Sequence, residues 1–193
     1  KYSAEIGSGK FWKNRLSLMG RYTKIHSDGY IDRASSNLDS YNFTALFEEN
    51  KTQLRLMAFG GKEKTYQAWN GIDKATWKTN PKFNYSGAIY DANWENIVGF
   101  YDNETDNYRQ NHFQVLWNQG LSKEWNLETT LHYTKGKGYY ENYKQGDPFL
   151  RYNLPNQGLE EYSDFIRKKW LDNDFYGIVF IFYGKFENLK LNF

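Results

Sequence analysis

The sequence predicts an all-β chain, an antiparallel up-and-down meander of about eight strands with two unlike faces. Three observations predict it. Apolar and polar residues alternate with period two in segment after segment. Aromatic residues make up 20% of the 193 positions on a strongly polar background, with a mean hydropathy of −0.88. Short and long connections also alternate strictly along the chain.

The strands follow in order. Residues 2–7 read as a first strand, which the chain enters midway. In 15–23, Leu16, Leu18 and Tyr22 oppose Arg15, Ser17 and Arg21. In 41–47 the apolar set is Tyr41, Phe43, Ala45 and Phe47, and in 52–58 it is Leu54, Leu56 and Ala58. In 109–119, Phe113, Val115 and Trp117 oppose Gln110, His112, Gln114 and Asn118. In 125–133, Trp125, Leu127, Leu131 and Tyr133 oppose Asn126, Glu128, Thr130 and His132. The run 175–183 is apolar on both faces, which leaves its orientation open, and 189–193 reads as a last strand cut short. No segment has a convincing helical period.

Hairpin registers follow from keeping the apolar sets together. About a turn at 48–51, Phe43 is expected opposite Leu56, Ala45 opposite Leu54, Thr44 opposite Arg55 and Leu46 opposite Gln53. About a turn at 120–124, Trp117 is expected opposite Leu127, Phe113 opposite Leu131, Asn118 opposite Asn126 and His112 opposite His132. The two histidines would then be neighbours on the polar face, without a bound metal, because neither Gln114 nor Thr130 beside them is a strong ligand.

The connections at 8–14, 48–51, 120–124 and 184–188 are short, while those at 24–40, 59–107 and 134–174 are long and polar. In a meander this puts every tight turn at one end and every long loop at the other. Outer-membrane barrels have this asymmetry; Greek-key sandwiches have no reason to. The alternatives are a secreted carbohydrate-binding β-sandwich stacking sugars on Trp69, Trp77 and Trp94, and a complete small eight-strand outer-membrane barrel, whose first and last strands would pair.

Composition and motifs exclude several function classes. A net charge of +2 argues against a nucleic-acid binder, which carries a strongly basic face. Without cysteine the chain has no disulfide, zinc-thiolate site or cysteine nucleophile. No apolar run is long enough for a transmembrane helix. Asp28 and Asp32 flank Gly29 as a turn would, and Asp102, Glu104 and Asp106 read as a solvated loop rather than a calcium site. The KGKGYY run at 135–140 lacks the setting of a phosphate loop. Arg167, Lys168 and Lys169 read as a solvated or lipopolysaccharide-facing rim. The reading is therefore not an enzyme, with no catalytic residue, metal site or cofactor. Tyr66 and Trp69 in the longest loop, with Tyr139 and Tyr140 at a strand exit, are the candidate ligand-binding residues.

The segments SDGYIDRASSNLDSY (27–41), GGKEKTYQAWNGI (60–72), YDNETDNYRQNHFQ (101–114), LHYTKGKGYYENYK (131–144) and RKKWLDNDFYG (167–177) resemble, in order, the barrel of TonB-dependent outer-membrane receptors of the iron-complex and cofactor transporter type. The resemblance implies that 1–193 is a single segment, an incomplete excerpt of a 22-strand transmembrane β-barrel. Such an excerpt is expected to lack the plug domain and the TonB box. It also implies active uptake of a scarce nutrient, such as an iron complex, haem or a vitamin-like cofactor, across the Gram-negative outer membrane. The implied partners are the missing remainder of the barrel and its plug, the inner-membrane TonB complex, outer-membrane lipid and the small-molecule nutrient. No nucleic acid is implied, and the isolated segment is expected to self-associate.

Overall fold

The computed structural model describes residues 1–155, 161–186 and 189–192. Its strands are β1 (Tyr2–Phe11), β2 (Leu16–Ser27), β3 (Ser36–Glu49), β4 (Thr52–Tyr66), β5 (Ala88–Tyr90), β6 (Ile97–Phe100), β7 (Thr105–Gly120), β8 (Trp125–Pro148), β9 (Tyr162–Phe186) and β10 (Leu189–Asn192). Eight of them form one sheet in the order β1-β2-β3-β4-β7-β8-β9-β10, while β5 and β6 form a small hairpin of their own. Every pairing is antiparallel between strands consecutive in the main sheet. The meander and the segregation of turns from loops are thus as the alternation predicts. The last short connection, at 187–188, lies outside the described residues.

Register carries the apolar face unbroken across the sheet. One row runs Leu18, Ala45, Leu56, Val115, Leu131 and Ile178, and the next runs Gly20, Phe43, Ala58, Phe113, Tyr133 and Tyr176. Beyond it, Tyr22 and Tyr41 open a polar-tipped row in which the Tyr22 hydroxyl donates to Asp39 at 2.5 Å and that of Tyr41 to Asn111 at 3.0 Å. The Tyr133 hydroxyl reaches into the same row, donating to Asp174 at 2.6 Å. The pairing also settles 175–183: Tyr176, Ile178, Phe180 and Phe182 join the apolar face, and Gly177, Val179 and Ile181 the other.

No second sheet covers this face among the described residues. Phe43 stays 46% exposed and Leu131 42%, and the only buried large apolar side chains among those described are Tyr66 and Phe149. The accessible surface is 13644 Å², against about 9,600 Å² for a compact monomer of this mass. A sandwich needs a dry layer between two sheets, and the described chain has one layer. Nor do β1 and β10 pair among the described residues, as a complete small barrel would require.

Three expectations need correction. Both hairpins are offset by two residues: Phe43 faces Ala58, Ala45 faces Leu56 and Leu46 faces Arg55; Phe113 faces Tyr133 and Trp117 faces Thr129. The turns are the cause. Asn50 takes a left-handed φ of 53°, tolerable for asparagine, so only Asn50 and Lys51 separate β3 from β4. In the other turn, Ser122 Oγ accepts from the Glu124 and Trp125 amides at 3.0 and 3.1 Å. His112 consequently sits opposite Thr134, bonded to its hydroxyl at 2.8 Å, and His132 sits opposite Gln114. The histidines are therefore diagonal rather than directly opposed.

The second correction is strand length. β8 and β9 run 24 and 25 residues, so most of the expected 134–174 loop is paired strand; likewise the connections from β2 to β3 and from β4 to β7 shrink to 28–35 and 67–104. The third is a short helix, α1 (Lys74–Thr79), whose Asp73 side chain accepts from the Ala75 and Thr76 amides.

Candidate functional site at the long-loop end

β7 begins at Thr105 opposite Tyr66, so β8 beyond Tyr140 has no strand on that edge among the described residues. Unpaired edge groups need partners, and the 67–104 loop supplies them. Gln67 Nε2 donates to the Glu141 carbonyl at 2.9 Å, and the Tyr143 amide donates to Glu104 Oε2 at 2.8 Å. Glu104 Oε1 takes a further bond from Asn142 Nδ2 at 2.8 Å, and the Glu104 carbonyl accepts the Gln67 amide at 2.8 Å. Gln145 brackets Tyr90, accepting from its amide and donating to its carbonyl, both at 2.8 Å, which straps the β5–β6 hairpin to β8.

A second knot holds the loop to the β2–β3 connection. Asn84, 1% exposed, donates to the Asp32 and Gln67 carbonyls at 3.1 and 2.9 Å and accepts the Ser86 amide at 3.0 Å. The Arg33 guanidinium donates to the Asn84 carbonyl and lies 3.5 Å from the Phe100 ring centre. These bonds make the longest connection a structured cap.

Glu141 is the charged centre of the cap. Its carboxylate accepts from the Tyr101 hydroxyl at 2.5 Å and Asn103 Nδ2 at 2.6 Å and pairs with Lys168 at 3.2 Å. Burial pushes its pKa up, but these three donors prevail and hold it below the ordinary glutamate value. Burial, and then donation to the Glu141 carboxylate, raise the Tyr101 phenol to about 12. A phenol whose folded pKa exceeds its unfolded value of about 10 stabilises the fold below pH 10, and that contribution is lost as pH rises from 10 to 12. Loosening of the cap is therefore expected across that interval, with Tyr101→Phe removing one phenolate transition. Absorbance titration beside limited proteolysis checks it; an ordinary Tyr101 titration near 10 would contradict the geometry.

The four sequence candidates part company. Trp69 is 61% exposed and meets the Tyr140 ring edge-on at 6.0 Å, with Lys169 Nζ 5.6 Å from the Tyr140 centre. Tyr139, one residue earlier, belongs to the opposite face, packing on Trp170 at 4.6 Å beneath Lys168 at 4.8 Å. Tyr66 is 7% exposed, its hydroxyl 2.6 Å from the Tyr101 carbonyl and 3.2 Å from that of Ser86. It braces the cap from within. The basic run disperses as well: Arg167 bonds Asn142 at 3.2 Å, while Lys168 and Lys169 take the roles above.

Glu104 is buried rather than solvated, which corrects the loop reading of 101–108. Gln67, Asn84, Glu141 and Asn142 carry no sequence signal, since a buried and a solvated amide look alike in a polar segment. Among the described residues, no group of three or more His, Asp or Glu is placed to hold a metal ion.

No protein-family model and no curated protein matches the chain. Solved structures do. The closed form of the ferric-catecholate import receptor Fiu from E. coli K12 superposes with a TM-score of 0.56 at 13% identity, over 96% of this chain and 28% of that one. Its open form gives 0.56 at 12% identity, over 96% and 31%. The chain thus spans under a third of the receptors it matches, and the likeness is one of fold: an antiparallel meander resembling part of such a barrel.

Proposed function

We propose that this chain is a segment of the barrel of a TonB-dependent transporter in the Gram-negative outer membrane, serving active uptake of a scarce nutrient such as an iron complex, haem or a vitamin-like cofactor. The observation that carries the reading is the uncovered apolar face, continuous in register from β2 to β9 and bordered by tyrosines whose hydroxyls turn to a polar row. From Trp125 to Tyr133 the apolar set of β8 covers nine residues, matching the 9–11 of a membrane-spanning strand. At the usual tilt of about 40° it rises about 21 Å, near the apolar height of such barrels. The solved receptors sharing the fold support the same reading.

In this account the long-loop end faces outward and the chain works as a carrier's wall and rim, with no chemistry of its own. Trp69 and Tyr140 are the ligand contacts, an aromatic corner with Lys169 beside it for an anionic or planar ligand. Tyr139 contributes at the outer rim and Tyr66 holds the corner in place. The remainder of the barrel, its plug and the inner-membrane TonB complex complete the transporter.

The test is uptake of a labelled ferric-catecholate complex by iron-starved cells bearing the protein, with and without a protonophore. Energy-dependent uptake is expected, with Trp69→Ala weakening binding about tenfold, a loss of about 1.4 kcal/mol. Panels of haem and cofactors follow if the catecholate is refused. Uptake of every ligand indifferent to both protonophore and the protein's deletion would reject the reading.

A further inference from the structure

Beyond the tyrosine row, still on the apolar side, register aligns Lys62, Arg109 and Lys137 on the adjacent strands β4, β7 and β8. All three are exposed. Like charges directly opposite one another destabilise a sheet, and here three stand in succession. Among the described residues, carboxylates pair with this row only at its outer sides: Asp39 lies 3.6 Å from Lys62, and Asp172 lies 3.0 Å from Lys137. Arg109, in the middle, has no ion pair among the described residues. The three line a shallow groove of about 590 Å³ with Lys24, Lys64 and the exposed Trp170, and its cations outnumber the two carboxylates, Asp39 and Glu63.

A second groove, of about 450 Å³, lies nearer the short turns on the same three strands and is lined by Leu56, Phe113, Val115, Leu131 and Tyr133. We propose that the two grooves together seat one phosphomonoester lipid, its headgroup on Lys62, Arg109 and Lys137 and an acyl chain along the apolar groove. This rests on the membrane reading above. Two residues of strand separate the cations from the tyrosine row, about 7 Å, so they lie where headgroup phosphates lie. The central guanidinium offers the planar fork that binds phosphate bidentately, and each cation near a membrane surface adds to the attraction for an anionic headgroup. An apolar groove on the same strands as the cationic one, one row of the sheet away, favours a lipid over a soluble anion.

The protein is reconstituted with phosphatidylcholine vesicles containing a minor fraction of phosphatidic acid, and the lipids it retains on extraction are counted by native mass spectrometry. Phosphatidic acid is expected to be enriched at least about tenfold over phosphatidylcholine. The triple variant Lys62→Gln, Arg109→Gln, Lys137→Gln should bring the enrichment below about twofold with its β circular dichroism intact. Enrichment unchanged in the triple variant overturns the proposal, as does equal displacement by inorganic phosphate, which would mark a soluble-anion site. Flotation with pure phosphatidylcholine vesicles separates the two readings: a protein that floats without enriching phosphatidic acid contradicts only the lipid site, whereas one that never floats contradicts the membrane reading beneath it.

Discussion

Arginine in place of Leu56, in the middle of the apolar face, is expected to destabilise the bilayer-embedded protein by about 2–4 kcal/mol. Leu56 lies between Ala45 and Val115 in the central row and is half exposed with none of the described residues over it, so the guanidinium would meet hydrocarbon. The cost should fall with depth. Leu16→Arg, at the short-turn edge beside Phe47, should cost no more than about 1 kcal/mol because its side chain reaches the interface. Gln114→Arg, on the polar face of β7, should stay within about 1 kcal/mol. Equilibrium unfolding in urea from lipid vesicles measures all three. Equal penalties at Leu56 and Leu16 would point to a protein partner over the face instead of a bilayer.

Removing the Glu104 side chain is expected to open the cap while sparing the sheet. Its carboxylate accepts from Asn142 and from the Tyr143 amide, and it is buried. Glu104→Ala leaves the Tyr143 amide without a partner, at about 1–3 kcal/mol, and leaves Asn142 Nδ2 only its bond to Gln67 Oε1 at 2.9 Å, whereas Glu104→Gln keeps one acceptor and should cost less. Hydrogen exchange is the readout: protection lost across 67–104 and along 141–145, and retained in 41–47 and 113–117. Protection unchanged in the loop would mean that the knot around Asn84 holds it alone.

Both effects trace to what alternation reveals and conceals. The strand centres were legible because one face must be apolar: Phe43, Ala45 and Phe47 announce themselves whatever their partners. Register was not, since a two-residue shift returns every side chain to the same face, and Leu56 or Ala58 suits Phe43 equally. Only turn atoms, the φ of Asn50 and the Ser122 hydroxyl, decide it. Strand ends were hidden because β8 past Lys135 and β9 before Phe175 leave the apolar band, so nothing there needs to alternate; pairs such as Tyr139 on Trp170 and Glu141 with Lys168 continue the ladder. α1 is too short to show a period, though Asp73 and Pro81 bracket it as cap and stop signals do. Of the candidate site, Trp69 was legible as a loop aromatic far from the apolar band. That Tyr139 and Tyr140 belong to opposite faces followed only once pairing was known.

The central claim is that the uncovered face meets lipid and the long-loop end does not. Single-tryptophan variants retaining Trp117 or Trp69, reconstituted in bilayers whose acyl chains carry bromine near mid-depth, test it directly. Strong fluorescence quenching at Trp117 with little at Trp69 is the predicted result; quenching that is absent at Trp117, or equal at the two positions, would contradict it.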